Sequence, residues 1–146
     1  MVGYQTYLPP FDASFLEALH GLGGEVLGTL DRDEMEWRLT RMPDPSVHVA
    51  REGQLLGLEL GYATGRRRYH SWLGGVRAEA RRRGIALGLM NVQHDWLRAN
   101  GYGSVETATV PDNAAMLSLN LRVGFRVIGT YGRGDRMRVM MAKDLA

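Results

Sequence analysis

The apolar positions of the first forty residues recur at helical spacing. In FDASFLEAL, Phe15, Leu16, Leu19 and Leu22 share one face, and Asp12 stands where an N-cap would. Glycines at 21, 23, 24 and 28 weaken the second half of that helix. LDRDEM predicts a second helix. Asp31 and Glu34 have capping-box spacing, Leu30 and Met35 hold the staple positions, and Met35, Leu39 and Met42 continue the face until Pro43 and Pro45. Ahead of both helices, YQTYL (4–8) reads as a short strand ended by Pro9 and Pro10.

The period then changes. VHVA (47–50) alternates, REGQ turns, LLGLELGYA (55–63) follows, GRRR (65–68) turns again and YHSWLGGV (69–76) is a third strand. These three predict an antiparallel meander, with Gly74 and Gly75 marking a bulge or a close backbone approach. Ile85, Leu89, Val92 and Trp96 then define a long helix that ends at Asn100–Gly101. SVETATV (104–110) is a strand parallel to 69–76, because a helix connects the two. A helix over 113–123 stops at Gly124, and FRVIGTY with RMRVMMAKDL forms a hairpin across GRGD. The order β-α-α-β-β-β-α-β-α-β-β predicts a mixed α/β (α+β) fold, a mostly antiparallel sheet flanked by helices.

The chain has 146 residues, read as a single domain over 1–146, with 45% hydrophobic and 23% charged residues. Eighteen basic and 16 acidic side chains leave a formal charge of +2, so no global charge calls for a polyanionic partner. Cysteine is absent, which excludes disulfides, thiolate metal sites and a cysteine nucleophile. No run of about 18 apolar residues predicts a membrane span. The first twenty residues carry Asp12 and Glu17 and lack a basic start, so they do not read as a signal peptide. The expected setting is cytoplasmic. No His and carboxylate set has metal-ligand spacing, and no metal is expected.

The stretch VRAEARRRGIALGLM (76–90) is the chemically informative one. It reads as a strand–loop–helix junction with Arg81, Arg82 and Arg83 at a helix start. Positive charge there opposes the helix dipole unless an anion is bound. The first-turn amides lack partners, Gly84 permits close backbone approach, and Ala86 adds no bulk. Taken alone, the arginines fit either a solvated helix start or an anion site. Arg66–Arg68 leave the same choice, with a solvated, edge-protecting turn favoured.

Arg81-x-x-Gly84-x-Ala86 resembles motif A of the GCN5-related N-acetyltransferases, the GNAT superfamily, whose core is Q/R-x-x-G-x-G/A. Val76 matches the hydrophobic strand residue ahead of it. NAAMLSLNLRVGF (113–125) resembles the family's motif B. Asn113, Met116 or Leu117, and Asn120 fall on one helix face. The likeness is close over 69–145 and rests on topology alone over 1–68. It implies a cofactor-binding half at 69–146 and an acceptor-side half at 1–68. Acetyl-coenzyme A is the implied co-substrate. Its pyrophosphate would lie on the loop of Arg81, Arg82, Arg83, Gly84, Ile85 and Ala86, and its pantetheine arm along Gly74 to Val76. Asn113 and Asn120 would face the cofactor.

The resemblance implies direct acyl transfer to an amine of a small molecule or a protein, with a backbone N–H near Val76 stabilising the oxyanion. Many members carry a tyrosine acid where Asn120 stands. Asparagine cannot supply a proton, although it can hydrogen-bond the cofactor, and Tyr131 is a substitute acid. Glu106, His70 and Glu59 are the base candidates, all on predicted strands and all compatible with plain surface positions. His94, beside Gln93 and Asp95, reads as solvated. Asn120 also motivates an alternative, a non-catalytic acyl-coenzyme A binder or sensor. A nucleic-acid module built on Arg66–Arg68 and Arg81–Arg83 is disfavoured by the near-neutral charge and the lack of interleaved aromatics. The family likeness leaves a homodimer open.

Overall fold

The computed structural model describes residues 1–145. Seven strands form one sheet in the order β1-β2-β3-β4-β5-β7-β6. They are β1 (Gly3–Tyr7), β2 (Ser46–Glu52), β3 (Gln54–Gly65), β4 (Arg68–Val76), β5 (Ser104–Thr109), β6 (Arg126–Tyr131) and β7 (Arg138–Asp144). Among the described residues only β4 and β5 run parallel. The helices are α1 (Ala13–Leu27), α2 (Arg32–Arg41), α3 (Ile85–Ala99) and α4 (Ala114–Arg122). The expected element order and the mixed, mostly antiparallel sheet are both present.

Local chemistry sets the helix starts. Asp12 accepts from the Phe15 N–H at 2.8 Å, and Asp31 from the Glu34 N–H at 3.1 Å. The glycines do not stop α1, because its face buries Leu19 and Leu22 completely or nearly so. Tertiary packing there outweighs the low helix propensity of glycine. Gly23 has a positive role, since a Cβ would collide with the Leu30 side chain.

Leu19, Leu22, Met35 and Leu39 from α1 and α2 pack on Val47, Val49, Leu58 and Leu60 of one sheet face. The other face carries α3, whose Ile85 and Leu89 meet Val76 and Ala50, and whose Leu97 meets Tyr69, Val105 and Met141. Two irregularities matter for the site. The β2–β3 register skips Leu56, which turns to the α3 face and packs with Ile85 and Leu89. The β3–β4 register skips Trp72, so Trp72 and Leu73 both pack on the α1/α2 side and Gly74 faces α3. The predicted bulge exists, but at Trp72. The two glycines serve close approach, Gly75 against Val26 of α1 and Gly74 against Glu59.

Candidate functional site

The parallel ladder between β4 and β5 is short. It pairs Arg68–Ser71 with Ser104–Thr107 and ends there. Beyond it, Gly74–Val76 stay with Gly57–Glu59 of β3, while Ala108 and Thr109 stay with Met140 and Val139 of β7. The strands therefore part, and the backbone edge of β4 after Ser71 faces a cleft instead of a neighbour. Thr107 Oγ1 donates to the Ser71 carbonyl at 3.1 Å and closes the apex. Extended backbone with an unused edge is suited to pairing with an amide-bearing ligand.

At the far end of β4, Ala78–Ala80 make a single 3-10 turn and α3 begins. Gly84 takes the left-handed conformation at φ 73°, with no other atom within 4 Å of the place a Cβ would occupy. The first helical bond runs from the Gly88 N–H to the Gly84 carbonyl, and no side chain caps the helix. The Ile85, Ala86 and Leu87 amides are thus the unpaired donors of a 15-residue helix, open to an anion.

The three arginines differ in employment. Arg81 Nε donates to the Val76 carbonyl at 3.3 Å and ties the loop to the strand end. Arg83 donates to both Glu52 oxygens, at 3.0 and 3.2 Å, beside the N-terminal ammonium at 2.9 Å. Arg82, held at φ 65°, has no acidic partner among the described residues.

On α4, Asn113 accepts from the Met116 N–H at 3.1 Å and is the N-cap. Asn120 is 1% exposed, so it is not a solvent-facing side chain. Its Nδ2 reaches Thr109 Oγ1 at 3.4 Å and Met141 Sδ at 3.6 Å, and its Oδ1 has no partner. That buried, unused acceptor borders the β5 side of the cleft.

The α1/α2 face gathers a second group. His70 and Glu106 are opposed in the β4–β5 ladder, and Tyr62 is opposite His70 on β3. The Tyr62 and His70 rings are 5.5 Å apart. Arg38 of α2 lies 4.4 Å over the Trp72 ring and 5.7 Å over that of Tyr62, donates to the Tyr62 hydroxyl, and bonds Glu34 through Nε at 2.8 Å. Burial, then the Arg38 charge, holds the His70 pKa below its ordinary value, so the ring is neutral at pH 7. Tyr131 stands exposed on the edge strand β6. Sequence reasoning missed Arg38, Tyr62 and Trp72. A tight turn about Arg66 and Arg67 would set Ala63 against His70, and only the register skip at Thr64, which the sequence does not signal, sets Tyr62 there.

Two expectations need correction. Glu59 is not a plain surface position. It faces α3 from the middle of β3, half-buried, with Ser71 Oγ donating to its carboxyl and Gly74 leaving it room. Burial pushes its pKa up to about 7, partly offset by the Ser71 hydrogen bond. His94 is not solvated but 2% exposed, with its ring 5.7 Å from Phe125 and Nδ1 3.2 Å from Lys143 Nζ. The helical face at 90–97 turns inward because Met90, Gln93, His94 and Leu97 all meet the sheet.

The description "Acetyltransferase (GNAT) family" matches residues 10–125, and the chain belongs to that family. It is accordingly an enzyme of the acyltransferase class. Its structure resembles the ribosomal-protein-S18-alanine N-acetyltransferase of Escherichia coli, with a TM-score of 0.84 at 14% identity over 100% of this chain and 95% of that one. It also resembles a Bacillus subtilis acetyltransferase in complex with CoA, at TM-score 0.79 and 18% identity over 99% and 100%. A GCN5-related N-acetyltransferase from Kribbella flavida gives 0.71 at 22% identity over 97% of each chain. At these identities the likeness establishes the fold. No curated protein sequence matches the chain. Among the described residues no helix is long and apolar enough to cross a membrane.

Proposed function

We propose that this protein transfers an acetyl group from acetyl-coenzyme A to an amine, acting as one domain over 1–146. The parting of β4 from β5 beside an uncapped, glycine-started α3 carries this reading. The co-substrate supplies a thioester carbonyl. The Ile85, Ala86 and Leu87 amides with Arg82 suit its pyrophosphate, and the free edge of β4 from Trp72 to Val76 suits its pantetheine amides. Asn120 Oδ1 is an unused acceptor on the opposite wall.

Backbone N–H groups on that β4 edge are the donors available to a developing oxyanion. The acceptor amine enters from the α1/α2 face, bordered by His70, Glu106, Tyr62, Trp72 and Tyr131. The Arg38 charge already held over Trp72 and Tyr62, beside neutral His70, disfavours a second cation there and so favours an uncharged, nucleophilic amine. A leaving thiol with a pKa near 8.5 needs little acid assistance, so the lack of an acidic side chain at Asn120 is tolerable.

Calorimetric titration with coenzyme A tests the donor site. Binding by the wild type and its loss in Gly84→Val combined with Arg82→Glu are expected. Absence of wild-type binding overturns the reading.

A further inference from the structure

Arg38 and Tyr62 together hold more hydrogen-bond donors than their neighbours use. The Arg38 guanidinium lies 4.4 Å from the centre of the Trp72 ring and 5.7 Å from that of Tyr62. Its Nε donates to Glu34 at 2.8 Å and its Nη1 donates to the Tyr62 hydroxyl. Nη2 has no acceptor among the described residues. The Tyr62 oxygen accepts from Arg38, so its own O–H remains to be donated, and no acceptor for it stands among the described residues. Burial, offset in part by Arg38, raises the Tyr62 pKa from its ordinary value, so the hydroxyl keeps that proton. The residue is 5% exposed, which limits the water available to it.

These donors stand on the α1/α2 face, beside the mouth of the cleft. Trp72 directly follows Ser71, where the β4–β5 ladder ends, and Tyr62 is opposite His70, one residue before it. The charge around them does not quench the guanidinium. Glu34 takes one of its nitrogens from the same helix, and that carboxylate side chain is 46% exposed. Glu106 lies beyond neutral His70, two strands from Tyr62 and so roughly 10 Å away by strand spacing. From the β6–β7 end, Tyr131 comes near enough to Tyr62 to act on its ionisation. Arg138, opposite Tyr131, bonds only the Met137 carbonyl among the described residues.

Resting on the acetyl-transfer reading, we propose that Arg38 and Tyr62 select the acceptor by holding a carboxylate on the molecule whose amine is acetylated. One carboxylate oxygen accepts from Arg38 Nη2 and the other from the Tyr62 hydroxyl, while the Trp72 ring keeps the guanidinium in place. A planar anion with two acceptor oxygens matches two adjacent donors; an ammonium or an alkyl group leaves both unpaired. Because Trp72 sits where the strands part, an amine a few bonds from the carboxylate reaches the thioester. The acceptor is then an amino carboxylate, either free or as an acidic residue beside a peptide N-terminus. Arg38 meets the acceptor away from the reacting atoms, so it governs affinity and choice of acceptor.

The test compares matched acceptors. Thiol release from acetyl-coenzyme A is measured with glycine, β-alanine and γ-aminobutyrate against their carboxamides, and with peptides carrying aspartate or asparagine after the N-terminal residue. Rates are referred to the unprotonated amine. The wild type should prefer at least one carboxylate over its amide by about tenfold or more in kcat/KM, chiefly through KM, and the pair that shows it tells free from peptide acceptors. In Arg38→Gln that ratio should fall to within about twofold of one, with coenzyme A affinity within about twofold of wild type. Tyr62→Phe should shrink the preference several-fold. If Arg38→Gln also loses coenzyme A binding, Tyr62→Phe decides, and an undiminished preference there overturns the assignment. Equal use of carboxylates and amides by the wild type, or a preference that survives in a coenzyme A-binding Arg38→Gln, overturns it and leaves acetyl transfer standing. Failure of every amine to release thiol overturns acetyl transfer, and the assignment with it.

Discussion

His70 of β4 and Glu106 of β5 are directly opposed in the parallel ladder, so both side chains leave the sheet on the α1/α2 face. They sit on the paired stretch, behind the point where the strands part. A role in holding the acceptor follows. His70→Gln and Glu106→Gln should raise the acceptor KM more than they lower kcat. Steady-state kinetics across pH checks this.

The arginines of the α3 start should not be equivalent. Arg83 is already engaged by Glu52, whereas Arg82 has no acidic partner among the described residues. Arg82→Glu should weaken coenzyme A binding about tenfold, roughly 1.4 kcal/mol, and Arg83→Glu should do less. Calorimetry on the two variants decides the order.

Gly74 and Gly75 are adjacent but face opposite ways. A Cβ at Gly75 would lie 2.8 Å from Val26 Cγ2 of α1, so Gly75→Ala should cost about 1–3 kcal/mol in urea unfolding with little change in the remaining catalysis. A Cβ at Gly74 meets the end of the Glu59 side chain, which can swing away. Gly74→Ala should therefore cost less stability than Gly75→Ala.

Buried histidines and Glu59 make stability depend on pH in opposite senses, and His94, held near 3, acts in the same sense as His48. His48 has a folded pKa of about 4 against 6.5. Its contribution is complete above pH 6.5 and is lost as pH falls toward 4, because the unfolded chain binds the proton first. Glu59 has a folded pKa of about 7 against 4.5. Its contribution is complete below pH 4.5 and is lost as pH rises through 7. Glu59→Gln should match wild type near pH 4 and exceed it at pH 8, on the order of 2 kcal/mol less solvent screening. His48→Gln should make the acid limb shallower, with the His94 contribution remaining. Urea midpoints measured from pH 4 to 8 test both.

The element order and the anion-loop spacing were legible because they rest on local signals: capping residues at Asp12 and Asp31, the meander turns, and Arg81-x-x-Gly84-x-Ala86. The side-chain environments were not. The face on which Glu59 lies becomes informative only once the skips at Leu56 and Trp72 fix what surrounds it. His94 looked solvated because its sequence neighbours are polar, yet α3 turns that face to the sheet. The Arg38–Trp72–Tyr62 stack joins three separate elements, and periodicity along one element does not reveal such a contact.

The most direct test of acetyl transfer is thiol release from acetyl-coenzyme A across a panel of amines that includes small molecules and peptide N-termini. The account predicts release that depends on an added amine, saturates with it, and disappears in Gly84→Val combined with Arg82→Glu. Tight binding of acetyl-coenzyme A with no amine-dependent thiol release across the whole panel would contradict it and point to a non-catalytic binder.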